Sequence, residues 1–287
     1  MNGLLVVDKP IGITSRTAVD RAQKWFHRGT RIGHAGTLDP LATGVLVLCI
    51  GSATRLMEYV QRMPKTYRAG ILLGATSDTD DADGVITPNA NPCPPDRSTI
   101  EQALRAFIGK IQQVPPAYSA AHVGGRRAYA LARKGHEFEL QPRLVTVHQI
   151  DIERYEFPQL DIVVHCGKGT YIRSIARDLG VALGCGGLIA SLRRTAIGKF
   201  TEAEALAIDT PADTAIQRML PAWHAVQDTP PIVLSADDTR KLRMGQTIAN
   251  PYGCTEECAV VDDAGEFVAL VTPIEGRLQP AKVFGVG

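Results

Sequence analysis

One stretch of the sequence combines a carboxylate with the glycines and proline of an irregular loop. Residues 33–44 read Gly-His-Ala-Gly-Thr-Leu-Asp-Pro-Leu-Ala-Thr-Gly, and their three glycines and one proline break both helix and strand patterns. The apolar run Val-Leu-Val-Leu-Cys-Ile follows at 45–50 and is typical of a buried strand. Such a strand would hold the loop rigidly and present Asp39 at its edge, a common place for chemistry. The alternative is structural, because Asp before Pro is a common turn starter.

The loop sequence resembles the catalytic loop of an enzyme family. All twelve residues of 33–44 match, without a gap, that loop in the TruB family of tRNA pseudouridine synthases, and further matches recur along most of the chain. In that family the Asp of the loop is catalytic, so the resemblance implies that Asp39 is the catalytic residue. It also implies that His34 binds the substrate by filling the gap that a flipped-out nucleotide leaves in the RNA.

Two more matches supply residues for the target base. The segment Lys-Thr-Tyr-Arg-Ala at 65–69 reads as a strand and resembles the family's second motif, which implies that Tyr67 stacks on the target uracil. The structural alternative for Tyr67 is a core aromatic whose hydroxyl reaches the surface. Leu192 matches the family residue that lines the uracil pocket, and its alternative is ordinary core packing.

A further motif lies at 169–173, Gly-Thr-Tyr-Ile-Arg. The resemblance implies that Arg173 pairs with the catalytic carboxylate and that Tyr171 lies near it, whereas the alternative for Arg173 is a surface position. Because a neighbouring guanidinium favours the charged form of a carboxyl, we expect Arg173 to lower the pKa of Asp39. The Gly-Lys-Gly-Thr at 167–170 is not predicted to bind a nucleotide phosphate, since the P-loop spacing is absent.

The resemblance implies one reaction, the isomerisation of uridine to pseudouridine at position 55 in the T loop of tRNA. The bond between C1′ and N1 breaks, the base turns, and it reattaches through C5, so no cofactor and no metal are expected. A stacked base is reached only when it is flipped out and held on an aromatic face, here Tyr67. Asp39 acts either as nucleophile or as a base at the sugar, and the Tyr67 hydroxyl is the candidate that removes the C5 proton.

Basic residues concentrate where tRNA would bind. Ten Lys and Arg stand against four Asp and Glu in residues 1–70, and eight against three in 97–144, whereas 201–287 carries six against thirteen. Tyrosines interleaved with basic residues at about 114–143 suit RNA, where stacking and phosphate contacts act together. This segment resembles the family's thumb insertion, which grips the T arm. The family usually has Lys where this chain has His122, so no contact is carried over to His122.

Length and composition are those of an ordinary globular protein. The 287 residues are 45% hydrophobic and 21% charged, and no apolar run approaches the ~18 residues of a membrane helix. The N-terminus lacks the basic lead and apolar core of a signal peptide, so we expect a cytoplasmic monomer with reduced thiols. None of the six cysteines forms a zinc-ribbon pair.

The acidic segment 76–84 lacks the Glu that closes a calcium loop. It is predicted to be a polar turn whose carboxylates accept hydrogen bonds from the loop itself.

The periodicities predict an α+β protein. The capping box Ser-Thr-Ile-Glu at 98–101 is expected to open a helix that turns Ile108 inward and stops at Gly109. Short strands beyond residue 230 suggest a small barrel. With the resemblance, the predicted fold is a pseudouridine synthase fold: a large, mainly antiparallel mixed sheet flanked by helices, with a thumb insertion. The predicted domains are a catalytic domain, 1–228, and a small C-terminal PUA-like RNA-binding β-barrel, 229–287.

Two other classes of function stay open. One is a non-catalytic RNA-binding protein or tRNA-folding chaperone that uses the same surfaces; an intact set of Asp39, Arg173 and Tyr67 argues against it. The other is an Asp-dependent hydrolase such as a glycosidase. That chemistry normally needs a second carboxylate as acid or base, and the matched motifs contain none.

Overall fold

Apolar and alternating runs from the whole chain assemble into two main sheets with helices against them. The computed structural model describes residues 1–119, 122–123, 125–132 and 138–284. The strands in these residues are β1 (Gly3–Lys9), β2 (Ile32–His34), β3 (Thr43–Ile50), β4 (Lys65–Leu73), β5 (Ala75–Ser77), β6 (Ile86–Pro88), β7 (Gly109–Gln113), β8 (His122–Val123), β9 (Arg126–Arg127), β10 (Arg143–Glu156), β11 (Gln159–Cys166), β12 (Gly187–Ile197), β13 (Phe200–Thr201), β14 (Leu206–Ala207), β15 (Pro231–Val233), β16 (Ile248–Ala249), β17 (Cys258–Val261), β18 (Phe267–Ile274) and β19 (Arg277–Val283).

Short helices connect these strands. The α-helices in the same residues are α1 (Ser15–Ala22), α2 (Met57–Arg62), α3 (Arg97–Arg105), α4 (Ala128–Ala132), α5 (Ile172–Ala182), α6 (Ala212–Gln217) and α7 (Ala236–Arg243). Turns of 3-10 helix cover Gln23–Trp25, Gly51–Leu56, Glu202–Glu204 and Ala222–Ala225. Across the described ranges, no helix combines the length and the apolar character needed to cross a bilayer.

The large sheet confirms the predicted mixed, mainly antiparallel architecture. Its strand order is β14-β1-β3-β12-β4-β11-β10-β7, with β2 added at β3 and β13 at β12. The pairs of β1 with β14 and of β3 with β12 are parallel, and the other pairs along this path are antiparallel. In this order β3, which follows the Asp39 loop, and β4, which carries Tyr67, lie on either side of β12.

The loop of residues 33–42 enters this sheet where β3 meets β12. The parallel contact pairs Thr43 with Arg193 and Gly44 with Arg194. Gly44 has a φ of +100°, and a Cβ atom there would lie 2.2 Å from the carbonyl oxygen of Arg194. Only glycine fits so close to a second backbone in this conformation. The approach brings Asp39 to the middle of the sheet.

Helices from both ends of the catalytic segment meet this loop. Thr14 is the N-cap of α1, and its hydroxyl oxygen accepts a hydrogen bond from the Thr17 amide at 3.0 Å, which is typical of a threonine at this position. It packs a small apolar face against β1 and β3. The α5 helix packs against β4, β11 and β12, and Leu38 of the loop shares this second core. The loop therefore touches two separate helical layers.

The start of α3 differs from the prediction. Its N-cap is Asp96, whose carboxylate accepts from the Thr99 amide at 2.7 Å, so the predicted capping box at Ser98 is wrong. The hydroxyl of Ser98 donates to Asp96 instead. The helix ends at Arg105, and Ile108 is 42% exposed rather than inward. Asp binds the orphan amides of a first helical turn as well as Ser does, so the earlier residue caps the helix.

The C-terminal residues form the expected small β unit. Its five strands pair in the order β15-β17-β18-β19-β16 and curl into a half-barrel, with the unpredicted helix α7 beside them. Phe284 joins the same apolar cluster as Ala53 and Leu56 of the first half of the chain. The hydroxyl of Tyr59 donates to Glu257 at 2.9 Å. The half-barrel is thus packed onto the segment that precedes β4.

The segment predicted to be a thumb connects β7, an edge strand of the large sheet, to the neighbouring strand β10. The chain exits at the end of β7 and returns at the start of β10, where Gln113 pairs with Arg143. Part of the segment between them, including the side chain of His122, lies outside the described residues. The expectation for His122 therefore stays a prediction.

Candidate active site

A buried lysine holds the carboxyl end of the Asp39 loop. Lys9 is fully buried at the end of β1, and its Nζ donates to the carbonyl oxygens of Pro10 at 2.9 Å, Ile13 at 2.8 Å and Pro40 at 3.4 Å. Burial lowers the pKa of Lys9 to about 8, although the Asp39 carboxylate opposes this shift. The contact of Lys9 with Pro40 fixes the residue that follows Asp39.

Two other side chains hold the opposite end of the loop. Ser15, on α1, accepts from the Leu38 amide at 2.8 Å and donates to the Leu38 carbonyl at 3.1 Å. Arg194, on β12, is 1% exposed and donates from Nη2 to the Gly36 carbonyl at 3.1 Å and from Nε to the Val45 carbonyl at 2.8 Å. The backbone is therefore anchored on both sides of Asp39, although nothing in the sequence assigned this work to Ser15 or Arg194.

The structure brings Arg173 and Asp39 together. Arg173 is the second residue of α5, is 4% exposed, and places Nη2 at 3.0 Å from an oxygen of Asp39. Its other terminal nitrogen lies 3.1 Å from Asp81. The guanidinium also donates to the carbonyl oxygens of Thr79 at 2.9 Å and Tyr118 at 2.8 Å. This dense set of partners fixes the orientation of Arg173, as bidentate arginine sites do.

Asp81 is the site residue that sequence reasoning missed. Its side chain is 5% exposed, and one oxygen accepts from the Thr79 hydroxyl at 2.5 Å and from the Asp83 amide at 3.1 Å. The segment 76–84 is a polar turn, as predicted, and Asp78 bonds the loop itself by accepting from the Val85 amide. Asp81 goes further, because it forms a buried ion pair with a helix 92 residues away. The acidic composition was the available signal, but it does not say which carboxylate is buried.

Arg173 lowers the pKa of Asp39, as predicted, but the net shift of that pKa is upward. Burial raises the pKa of Asp39 above its usual value, and the Arg173 guanidinium only opposes that rise. Although 37% of the Asp39 side chain is exposed, this side chain lies at the bottom of a pocket, where protein atoms surround most of it. Arg173 also serves Asp81, whose negative charge raises the pKa of Asp39 further. One cation shared by two carboxylates therefore does not offset the loss of water around Asp39.

A pocket of about 690 Å³ opens above this ion pair. Its lining includes Tyr67, Tyr171 and Leu192 together with Asp39 and Arg173, so five of the six predicted site residues meet there. Tyr67 and Leu192 are 9% and 8% exposed and belong equally to the apolar core beneath the pocket. Burial raises the pKa of Tyr67, so its hydroxyl keeps its proton at neutral pH. The volume is in the range of small-molecule and nucleotide sites.

His34 lies apart from the pocket lining. It ends β2, where it pairs with Leu48, and its pKa is lowered by burial. Its Nδ1 is buried and, within the described ranges, has no hydrogen-bond partner. The predicted role of His34 in filling a gap in the RNA is compatible with a position beside the pocket and stays a prediction.

The pocket wall is more basic than the motifs suggested. Lys65, Lys168 and Arg194 line it beside Arg173, whereas Asp39 is the acidic residue of the lining. Lys65 is 6% exposed, and burial lowers its pKa to about 8. Its place two residues before Tyr67 on β4 puts both side chains on one face of the sheet. In the described residues, no three His, Cys, Asp or Glu side chains are grouped as metal ligands.

Comparisons with known proteins agree with this geometry. Residues 24–172 match the family model described as TruB family pseudouridylate synthase, N-terminal domain, and residues 173–219 match the tRNA pseudouridylate synthase B C-terminal domain. The two matches meet between Ile172 and Arg173, so the ion pair with Asp39 joins them.

Full-length relatives are also similar. The chain is 41% identical to tRNA pseudouridine synthase B of Xanthomonas campestris pv. campestris (strain B100), over 99% of this chain and 94% of that protein. It is 43% identical to tRNA pseudouridine synthase B of Synechococcus sp. (strain WH7803), over 98% and 97%. Among solved structures, a chain of a Cbf5-Nop10-Gar1 complex aligns with a TM-score of 0.76 at 23% identity, over 99% of this chain and 85% of that chain. This last likeness supports the fold alone.

Proposed function

We propose that this chain, which belongs to the TruB family of pseudouridylate synthases, isomerises uridine 55 in the T loop of tRNA to pseudouridine. The relatives named tRNA pseudouridine synthase B support tRNA as the substrate. One observation carries the proposal for the site: Asp39 is anchored by buried Arg173 on the floor of a pocket walled by Tyr67 and Leu192. This arrangement suits a single flipped base above one carboxylate.

The pocket suits the steps of the reaction. A uridine stacked in a loop must leave the stack to reach Asp39, and unstacking is compensated by new contacts in a protein pocket. Stacking on Tyr67 with Leu192 beside it holds the uracil ring through its faces, which leaves its edges free to turn. The bond between C1′ and N1 breaks and a bond between C1′ and C5 forms. The proton on C5 is then lost to water and N1 takes up a proton, so the product keeps the composition of uridine.

Asp39 carries the chemistry in this proposal. Either as nucleophile at the sugar or as base that abstracts a sugar proton, it acts as the carboxylate. Arg173 favours that charged form and opposes the rise in pKa that burial causes. Lys9, Ser15 and Arg194 hold the loop backbone, so the carboxylate meets the sugar without reorganisation of the loop.

The C-terminal half-barrel and the thumb are proposed to extend the RNA contact. The boundary at residue 229 lies two residues before β15 begins. Because residues 201–287 carry an acidic excess, the half-barrel should contribute less phosphate binding than the basic segments near the pocket. Its packing onto Tyr59 and Leu56 ties it to the chain just ahead of Lys65.

Asp81 is a second carboxylate near Asp39, as a glycosidase would need, but its position does not suit that chemistry. Asp81 is bound to the same Arg173 as Asp39 and does not line the pocket. A general acid must reach the leaving group, within hydrogen-bond distance. Asp81 therefore supports the orientation of Arg173 rather than a glycosidase mechanism.

One assay separates the three classes of function. A T-arm stem-loop RNA with uracil tritiated at C5, labelled only at the target uridine, is incubated with the wild-type protein and with Asp39→Asn. The isomerase releases tritium to water and leaves pseudouridine in an intact RNA. Free uracil would indicate a glycosidase, and tight binding without tritium release would indicate an RNA-binding protein. Either of these results overturns the proposal.

A further inference from the structure

The amide side chain of Gln113 binds the main chain of Tyr171, a residue that lines the pocket. Gln113 is the last residue of β7 and is 2% exposed. Its Nε2 donates to the Tyr171 carbonyl at 3.0 Å, and its Oε1 accepts from the Tyr171 amide at 2.8 Å. One side chain thus pairs both main-chain polar groups of a residue that lies 58 positions away.

The residue that Gln113 holds controls the start of α5. Tyr171 is the N-cap of this helix and makes no side-chain capping bond there. It lines the pocket, and Arg173 follows it by two residues. Because the first turn of a helix depends on its cap for position, a shift of Tyr171 would move the guanidinium that orients Asp39.

The residues after Gln113 are fastened to the same helix. The Val114 carbonyl accepts from Ser174 Oγ at 2.8 Å and from Arg177 Nη2 at 2.9 Å. The Tyr118 carbonyl accepts from Arg173 at 2.8 Å. The two buried residues at 115–116 are both prolines, which fix the backbone between these contacts. The start of the 114–143 segment and the first turns of α5 therefore form one hydrogen-bonded unit.

We propose that Gln113 is a positioning residue for the isomerisation: its donor and its acceptor together fix Tyr171, and through it Arg173, against Asp39. The inference rests on the proposed function for its reaction but not for its geometry. Gln113 is suited to the role because a primary amide presents one donor and one acceptor side by side, which complements the N–H and C=O of one residue. No other neutral side chain of this length does so.

The first test removes both hydrogen bonds at constant size. In Gln113→Leu, the single-turnover rate on the T-arm RNA should fall by about 10- to 100-fold, as small misplacements of reacting groups do. The Kd for the RNA should change by less than about threefold, because phosphate contacts dominate affinity. Gln112→Leu is the matched control, since Gln112 is the exposed neighbour on the same strand, and it should keep the wild-type rate.

The second test uses a conservative variant that restores the pattern only when protonated. In Gln113→Glu, a neutral carboxyl can donate to the Tyr171 carbonyl and accept from its amide, whereas a carboxylate can only accept. The rate of Gln113→Glu divided by that of the wild type should therefore rise by about fivefold or more from about pH 8.5 to about pH 6.

The surroundings of residue 113 set where that change occurs. Burial and the Tyr171 carbonyl favour the neutral acid, and nearby cations favour the carboxylate. On β10, Arg143 pairs with Gln113. On α5, the charged groups nearest Tyr171 are Arg173, Arg177 and Asp178, and the carboxylates of Asp80 and Asp81 bind the two arginines. Dividing by the wild-type rate removes the titration of Asp39 itself.

The outcomes are separable. A wild-type rate in Gln113→Leu, or a ratio for Gln113→Glu that does not change with pH, overturns the positioning role. If Gln113→Leu does not fold, as judged by its thermal transition, the Gln113→Glu ratio decides alone. If the wild type makes no pseudouridine, the proposed function fails, and amide exchange of residues 171–177 without RNA then decides. Unchanged exchange between wild type and Gln113→Leu would overturn the inference, and faster exchange in Gln113→Leu alone would support it.

Discussion

Arg173 and Arg193 each bridge two carboxylates, but they differ in how much of the arginine side chain is exposed to water. Arg173 is 4% exposed at the base of the pocket, and Arg193 is 34% exposed on β12. Arg193 makes more hydrogen bonds to carboxylates, with two bonds of 3.0 and 2.9 Å to Asp8 and one of 2.8 Å to Glu202. The number of these bonds by itself would therefore favour Arg193 as the stronger carboxylate bridge.

Burial reverses that ranking. An exposed ion pair contributes about 0.2–1 kcal/mol, because water solvates the separated charges almost as well. A buried pair that loses one partner leaves an uncompensated charge, which costs about 3–5 kcal/mol. Arg173 is thus held in one orientation, because breaking its ion pairs would leave a buried charge without a partner. Arg193 can exchange its carboxylate partners for water. The comparison indicates that desolvation, and not the number of hydrogen bonds to carboxylates, distinguishes the bridge at the proposed active site from the bridge on β12.

The largest expected effect comes from the carboxylates nearest the two arginines. Asp39→Asn should lower turnover by about 10³-fold or more, since an amide is neither nucleophile nor base, with tRNA affinity within about threefold of the wild type. Asp8→Asn, at the exposed bridge, should keep turnover within about twofold. Single-turnover rates and filter binding on one T-arm RNA measure both. If Asp39→Asn formed pseudouridine at the wild-type rate, the assignment of Asp39 as the catalytic residue would be wrong.

The arginines themselves give the next largest contrast. Arg173→Lys keeps the charge but cannot span Asp39 and Asp81 with a planar fork, so turnover should fall by about 10²-fold. Arg193→Lys should remain within about twofold, because water replaces the lost bonds at its site. Equal rates in the two variants would show that burial does not distinguish the bridges.

A smaller effect with a defined sign is expected on the pH dependence. The pKa of Asp39 is raised by burial and, further, by the charge of Asp81. Since the proposed role of Asp39 requires its carboxylate, turnover should fall as the pH drops through that pKa. In Asp81→Asn the acid limb of the profile should shift to lower pH, with the plateau reduced by about tenfold through loosened Arg173. Glu202→Gln is the control at the exposed bridge and should leave the limb in place.

The smallest effect is on stability. A double-mutant cycle with Asp8→Ala and Arg193→Ala should give a coupling free energy of about 0.5 kcal/mol in urea unfolding. The coupling should shrink further in about 0.5 M salt, because screening acts on exposed charges. A salt-independent coupling above about 2 kcal/mol would contradict the view of this bridge as solvent-exposed.

Short-range patterns predicted the parts of the site that are contiguous in the chain. The loop 33–44, the alternation around Tyr67 and the segment ending at Arg173 each carry their turn residues and apolar spacing within a dozen positions. The structure has β3 and β4 where these patterns place them, and it brings Asp39 and Arg173 together. The roles of these residues in catalysis stay predictions for the assays above.

Short-range rules failed where a longer-range competitor was present. The predicted capping box at Ser98 does not form, because Asp96, two residues earlier, is the N-cap of α3. The expected lowering of the Asp39 pKa considered one neighbour, Arg173, and omitted the loss of water in the pocket and the second carboxylate, Asp81. Each error comes from treating a local partner as if it were alone.

By itself, the sequence determined which residues could do chemistry and which elements present them, because side-chain type, turn residues and periodicity are local properties of the chain. Only the tertiary structure decided that Asp81 rather than a neighbour meets Arg173 across 92 residues, and that Gln113 meets Tyr171 across 58. It also decided that Arg173 is buried and Arg193 is not. Burial and long-range pairing depend on how distant segments pack, and the free energy of a charge depends on the water that this packing removes.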